Sequence, residues 1–175
     1  MGLQVGDFVR PHNEDGHKFI QFAADDLLKL AATKKNTVTI PGKRNFKTKQ
    51  TSPPTILIMP QTIGHFVMNL PANAIDFVGN FNGLYHGHEN LFVPHTETKL
   101  PMAHIYCFST KSADNVREKV EICERLSEEL GFEIKVGDKD LDIWDVRDVA
   151  PNKRMFCASF RIPAEVAFRS RRAAV

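Results

Sequence analysis

The stretch from residue 102 to residue 131 constrains the fold most. Met102-Ala103-His104-Ile105-Tyr106-Cys107-Phe108 is a compact apolar run of strand type, and after a short polar gap Val116, Val120, Cys123, Leu126 and Leu130 recur three and four residues apart. That spacing predicts an amphipathic helix over 112–130, with Ser112 as its cap and Gly131 at the position where a left-handed residue ends a helix. A strand followed directly by such a helix is the unit from which parallel sheets are assembled.

The same rhythm is legible upstream. Asp7-Phe8-Val9-Arg10 reads as the end of a short strand and residues 11–14 as a turn. The segment 15–35 places Phe19, Ala23, Leu27 and Leu30 at helical spacing, with Asn13 or Asp15 as the N-cap. Residues 63–68 form an apolar strand stopped by Asn69-Leu70-Pro71, and Ala74, Ile75, Val78 and Phe81 then make one face of a short helix with Pro71 near its first turn. In the last third, 132–136 and 143–147 read as two parts of one bent strand, and 155–162 as another, with Ala150-Pro151-Asn152-Lys153 as the turn between them. The fold class expected is α/β, with parallel strands closed by a C-terminal antiparallel hairpin.

Two segments break every period. Residues 34–61 are expected to be a mobile basic loop, because Lys34, Lys35, Lys43, Arg44, Lys47 and Lys49 occur there without one acidic residue. A solvated insertion is the ordinary meaning of such a charge run, and a flap contacting phosphates is the sharper one. Residues 82–100, rich in Gly, His and Pro, are expected to be a polar loop.

Composition limits the function classes. The 175 residues carry a formal net charge of only +2, so nucleic-acid binding would have to be local rather than a property of the whole surface. No apolar run approaches the roughly 18 residues of a membrane span, and residues 1–10 have neither a signal-peptide core nor a transit pattern, which points to a soluble, untargeted chain. Three separated cysteines, Cys107, Cys123 and Cys157, argue for a reducing compartment and against a disulfide framework or a cysteine zinc site.

In an open parallel sheet, ligands bind beyond the carboxyl ends of the strands. Asn13-Glu14-Asp15-Gly16 and Asn69-Leu70-Pro71 fall there. An acidic residue before glycine can accept from an exocyclic amine while the backbone stays close to the ligand, and an Asn-x-Pro turn projects an amide beside a rigid carbonyl. Asp-Gly alone is most often a turn, so the two motifs gain weight only from their order and strand context.

The run Val67-Met68-Asn69-Leu70-Pro71-Ala72-Asn73-Ala74-Ile75-Asp76-Phe77 resembles the VMNLPxxAxxF signature of the eukaryotic and archaeal tRNA (guanine(37)-N(1))-methyltransferases. Residues 146–163, VRDVAPNKRMFCASFRIP, are similar to the closing strand–turn–strand of the eukaryotic branch, and residues 13–20, NEDGHKFI, to its N-x-D-G-x-x-F segment. The resemblance implies a partial class I (Rossmann-like) S-adenosylmethionine-dependent methyltransferase fold, with residues 1–175 as the C-terminal part of the catalytic domain. It implies methylation of N1 of guanosine-37 in tRNA, S-adenosyl-L-methionine as cofactor, tRNA as partner, and a full-length enzyme that is monomeric and acts in cytoplasm, nucleus or mitochondrial matrix. Asp15 and Gly16 would lie against the adenine end of the cofactor, Asn69 between its methionine end and the target base, and Pro71 in the wall of the base pocket. Within the match, Glu14 and Lys18 stand where the family more often has an apolar residue and an acid.

The alternative is a non-catalytic truncated homologue that binds RNA or protein. The resemblance also implies strands missing from the sheet, so the chain alone is expected to aggregate or to need its other half. His86-Gly87-His88-Glu89 with His95 could gather a metal, but a flexible polar loop is the plainer reading, and no metal is expected. Trp144 and Phe156 are expected in the core, Cys107 and Cys123 as small buried hydrophobes, and residues 168–172 as a frayed basic end.

Overall fold

The computed structural model describes residues 9–171. Val9 and Arg10 have no strand partner, contrary to the strand expected there, and Asp7 and Phe8 lie outside the described residues. Helix α1, Gly16–Ala32, begins where Asp15 caps it, its Oδ1 accepting from the His17 N–H at 2.8 Å. Its buried positions are Ile20 and Ala24, one residue on from the stripe read in the sequence; Phe19, Ala23, Leu27 and Leu30 are half-buried on the flank.

Residues 34–61 are not a loop. Strands β1, Thr37–Ile40, and β2, Thr55–Ile58, pair antiparallel with Thr37 opposite Ile58 and Ile40 opposite Thr55. The base of the hairpin is closed by Asn36 and Met59, each donating to the other's carbonyl, at 2.8 and 2.7 Å. The β-branched and apolar residues at 37–40 and 55–58 supply the strand pattern that the lysines around them conceal.

The main sheet holds β3, His65–Met68, β4, Met102–Ser109, β5, Leu141–Ala150, and β6, Lys153–Arg161, in the spatial order β3-β4-β6-β5. β3 and β4 are parallel, while β6 is antiparallel to both β4 and β5, so the hairpin closes the sheet as expected. One face carries Ala103, Ile105, Cys107, Ile143, Phe156, Ala158 and Phe160, all buried. Against it pack the 3-10 helix Ala74–Phe81, through the four residues Ala74, Ile75, Val78 and Phe81, and helix α3, Val116–Leu130, through Ile122, Cys123, Leu126 and Leu130. On the opposite face Val67 is 68% exposed and Trp144 66%. Trp144 is therefore not core: alternation along β5 turns Ile143 inward and Trp144 outward, whereas Phe156 and both Cys107 and Cys123 are buried as expected.

Helix α3 starts at Asn115, in the left-handed region at φ 58°, and not at Ser112. The Ser112 hydroxyl instead accepts from the Asn115 N–H at 3.2 Å and donates to the Glu118 carboxylate at 2.6 Å, while Asp114 Oδ1 accepts from the first helical amide, that of Val116, at 3.1 Å. Val116 and Val120 face solvent. Gly131 ends the helix at φ 60°, as its position predicted. Residues 132–136 form no strand, because Ile134 is held to the helix end by the Ser127 hydroxyl, which accepts from its N–H at 2.9 Å.

The stretch 82–100 is built, not loose. It contains the 3-10 turn Glu89–Leu91 and the short helix α2, Thr96–Lys99, and it buries Leu84, Tyr85, Phe92 and Leu100. Its Gly83 and Tyr85 N–H groups each donate at 2.9 Å to carbonyls of the short helix α4, Ala164–Ala167. The Tyr85 hydroxyl accepts from Ile63 N–H at 2.9 Å, and the Phe92 ring packs at a tilt against both Tyr85 and Phe168.

The basic end expected to fray is likewise anchored. Arg169 Nη1 donates to Asn82 Oδ1 and the Leu130 carbonyl, at 2.9 and 3.1 Å, and Arg171 Nη1 donates to Asp25 of α1 at 2.8 Å. Arg172 lies outside the described residues. Among the described residues no helix is long and apolar enough to cross a membrane.

Candidate functional site

The carboxyl ends of the parallel strands β3 and β4 point to one rim, and Asn69 is the first residue past β3. Leu70 turns the chain into the 3-10 helix, its carbonyl accepting from Asn73 and Ala74 N–H at 2.9 and 2.8 Å. The Pro71 carbonyl accepts from Phe108 N–H, near the end of β4, at 3.1 Å. The Asn69-Leu70-Pro71 turn is thus pinned to the neighbouring strand end through a backbone bond that needs no particular side chain. Pro71 is half-buried, and Asn69 is exposed with no side-chain hydrogen bond among the described residues.

Asp15 and Gly16 do not follow a strand, contrary to expectation, and meet the 3-10 helix beyond the Asn69 turn at Phe77. A Cβ placed on Gly16 would stand 3.0 Å from Phe77 Cε1, and the His17 ring lies 4.2 Å from the Phe77 ring, centroid to centroid. His17 Nδ1 and the Asn80 amide nitrogen are 3.0 Å apart, and the same amide nitrogen donates to the Phe77 carbonyl at 3.0 Å. The glycine therefore serves close packing of α1 on the 3-10 helix that the Asn69 turn initiates. Asp15 spends Oδ1 on its cap, leaving Oδ2 without a partner among the described residues, and Gly16 N–H, at the first turn of α1, has no intrahelical acceptor.

His17, Phe77 and Asn80 are joints of this arrangement that sequence reasoning missed, since each is an ordinary residue on a helix whose partner is some sixty positions away in the chain. A second missed group follows β4. Arg154 donates from Nη1 to Asp145 at 2.8 Å and to Asn115 at 2.9 Å, and from Nε to Asp148 at 2.8 Å; Lys111 also pairs with Asp148. The Lys111 ammonium, then the Arg154 guanidinium, hold the Asp148 carboxyl below its ordinary range. The Glu118 carboxyl, shielded from solvent, is held low chiefly by the Ser112 hydroxyl. Lys153 Nζ sits 4.0 Å over the Phe108 ring, beside the backbone that grips Pro71.

On the open face, a polar line crosses three strands: His65 Nδ1 to His104 Nε2 at 3.0 Å, and His104 Nδ1 to the Ser159 hydroxyl at 2.9 Å. Partial burial, then the neighbouring His65, pushes the His104 pKa down. The histidines at 86–95 do not converge with acids into a metal-binding group of three among the described residues. Glu89 Oε1 accepts from Gly87 N–H at 3.0 Å, and the His86 ring meets the Phe168 carbonyl at 3.2 Å, so these side chains brace their own turn.

Over 173 residues the chain is 51% identical to a protein of Fusarium vanettenii named tRNA (guanine(37)-N(1))-methyltransferase, a match spanning 96% of this chain and 37% of that relative. It is a partial-length relative of the tRNA (guanine(37)-N(1))-methyltransferases. Proteins of the same name from Phaeosphaeria nodorum and Schizosaccharomyces pombe are 49% and 34% identical over 95% and 94% of this chain, spanning 40% and 36% of their own lengths. The chain thus spans about two fifths of the length of the curated relatives it matches. No family model matches the sequence, and no solved structure matches it.

Proposed function

We propose that this chain is the C-terminal part of the catalytic domain of a tRNA (guanine(37)-N(1))-methyltransferase, with a class I, Rossmann-like sheet and S-adenosylmethionine as methyl donor. The observation that carries the reading is the Asn69-Leu70-Pro71 turn, fixed at the rim of the parallel strands by the Pro71–Phe108 backbone bond, in a chain whose relatives bear that name. The two-strand parallel start and the antiparallel closing hairpin fit the class I reading.

The donor set fits the cofactor. Asp15 Oδ2 can accept from the exocyclic amine of adenine, and Gly16 N–H can donate to a ring nitrogen beside it. When bound, the cofactor supplies an electrophilic methyl group on a sulfonium. The chain's own part is alignment: an exposed Asn69 amide, held on a turn that cannot drift, orients the guanine edge, and the rigid Pro71 ring limits where that base can lie. Reaching N1 of guanosine requires the base to leave its stack, which a rim open to solvent permits.

In the full-length protein, Asn69→Ala is expected to lower methyl transfer to a tRNA transcript carrying guanosine-37 by about a hundredfold, since a misplaced reactant costs on that order. The melting temperature should not change, because Asn69 makes no hydrogen bond with the described residues through its side chain. Turnover equal to the wild type would remove Asn69 from the site.

A further inference from the structure

We propose that the hairpin of residues 36–59 is an RNA-contacting arm whose apex stacks Phe46 on an unpaired base while Lys43, Arg44, Lys47 and Lys49 hold the adjoining phosphates. The inference deepens the tRNA reading above, since it names how this chain grips single-stranded RNA, and it rests on that reading for the identity of its partner.

Charge singles out the arm. From residue 27 to residue 75 the sequence holds seven basic residues and no acidic one, in a chain whose net charge is +2, so everything outside this stretch is net negative. A polyanion is drawn to the arm and away from the remainder.

Geometry makes the apex a shaped surface. Below it, Lys43 N–H donates to the Ser52 hydroxyl at 2.9 Å and Ser52 N–H to the Lys43 carbonyl at 3.0 Å, and Arg44 bridges Thr51. The apex is closed by Asn45 N–H to the Gln50 carbonyl at 2.8 Å, and Asn45 Oδ1 accepts from Lys47 and Thr48 N–H at 2.9 and 3.3 Å. A Cβ on Gly42 would fall 1.6 Å from the Ser52 carbonyl oxygen, so the two rails touch at a place only glycine allows.

On this braced tip Phe46 is 93% exposed, with cations two positions before it and one and three after. A lone ring flanked by positive charges matches one nucleotide: a flat face for the base and partners for its phosphates. The other exposed apolar residues of the arm, Ile56, Leu57 and Ile58, lie on β2 near its base, so the apex lacks the contiguous apolar area by which a segment enters a lipid surface.

The test measures the affinity of the full-length protein for an RNA hairpin with a single-stranded loop and for a blunt RNA duplex of equal length. Phe46→Ala is expected to weaken hairpin binding about tenfold with the duplex affinity unchanged, and Phe46→Trp to keep it. Replacing Lys43, Arg44, Lys47 and Lys49 by Gln should weaken both and flatten the salt dependence, by about 0.7 in the log–log slope for each single-strand phosphate that is no longer neutralised. Equal affinity of Phe46→Ala and wild type for the hairpin, or binding to anionic phospholipid vesicles that Phe46→Ala abolishes while RNA binding persists, overturns the arm. Methylation of guanosine-37 measured in parallel keeps the two readings apart. If methylation proceeds while hairpin binding ignores Phe46, only the arm falls; if binding needs Phe46 and no methylation occurs, only the activity falls.

Discussion

The four-stranded sheet and the two-stranded arm are made of the same backbone ladder, yet they are stabilised by different things. In the sheet, every other residue of β4 is buried, and the 3-10 helix and α3 cover that face. In the arm, all four residues of β2 are exposed and Val38 alone is buried among the strand residues. What holds the arm is its own cross-links: the Asn36–Met59 pair, the Lys43–Ser52 pair and the Asn45 turn. A buried element can tolerate change at its surface and not inside; a hairpin with one buried strand residue has almost no inside, and its shape depends on a few backbone partners and one glycine.

That contrast sets an order of effects. Phe81→Ala, which empties a fully buried site packed on the Phe66 ring 5.0 Å away, should cost about 3–5 kcal/mol in a denaturant melt. A loss below about 1 kcal/mol would mean the core is far less closely packed than the sheet suggests. Tyr85→Phe should cost about 1 kcal/mol by leaving the Ile63 N–H without its acceptor. Burial pushes the Tyr85 phenol up to about 12 from 10.0, so the folded state keeps a proton that the unfolded state gives up first. Its contribution is therefore full below about pH 10 and fades as pH rises toward 12, and this part of the alkaline decline should vanish in Tyr85→Phe when the two melts are compared. Gly131→Ala, forcing a side chain into φ 60°, should cost about 1 kcal/mol.

At the small end, Phe46→Ala should leave the melt within about 0.5 kcal/mol, since an exposed residue away from any cap or core rarely does more. Gly42→Ala sharpens the comparison. It should leave the cooperative melt in place while the amide signals of residues 42–52 shift, because the clash with the Ser52 carbonyl is confined to the arm. A global loss of stability there would show that the arm is part of the core after all.

How much of this was legible in the sequence follows from the same contrast. Where burial is periodic, the pattern named the element: Ala74, Ile75, Val78 and Phe81, read as one face, are the buried residues of the 3-10 helix, and 102–108 fall within β4. Where burial rests on isolated anchors, it did not. Leu84, Tyr85 and Phe92 sit among glycines, histidines and asparagines with no repeat, so the segment read as a loop although it lines the core. In α3 the buried stripe includes an acid, Glu118, satisfied by hydroxyls from Ser112 and Thr110, and that is invisible to an apolar count. The lysines of 34–61 masked two short strands, and Arg169 and Arg171, which read as a solvated end, are structural cations whose acceptors are distant in the chain. At the candidate site strand order placed Asn69 just past β3, but the strand expected before Asp15 and Gly16 is absent among the described residues, and the contacts of Phe77, His17 and Asn80 that seat α1 on the 3-10 helix leave no periodic signal.

The position of β6 between β4 and β5 has a consequence for synthesis. β5 leaves the ribosome first, yet its one partner among the described residues is β6, and β4 likewise waits for β6 to cover its second side. A nascent chain halted before Lys153 therefore leaves β4 open along one flank and β5 wholly unpaired, two templates for intermolecular pairing created by a single early stop.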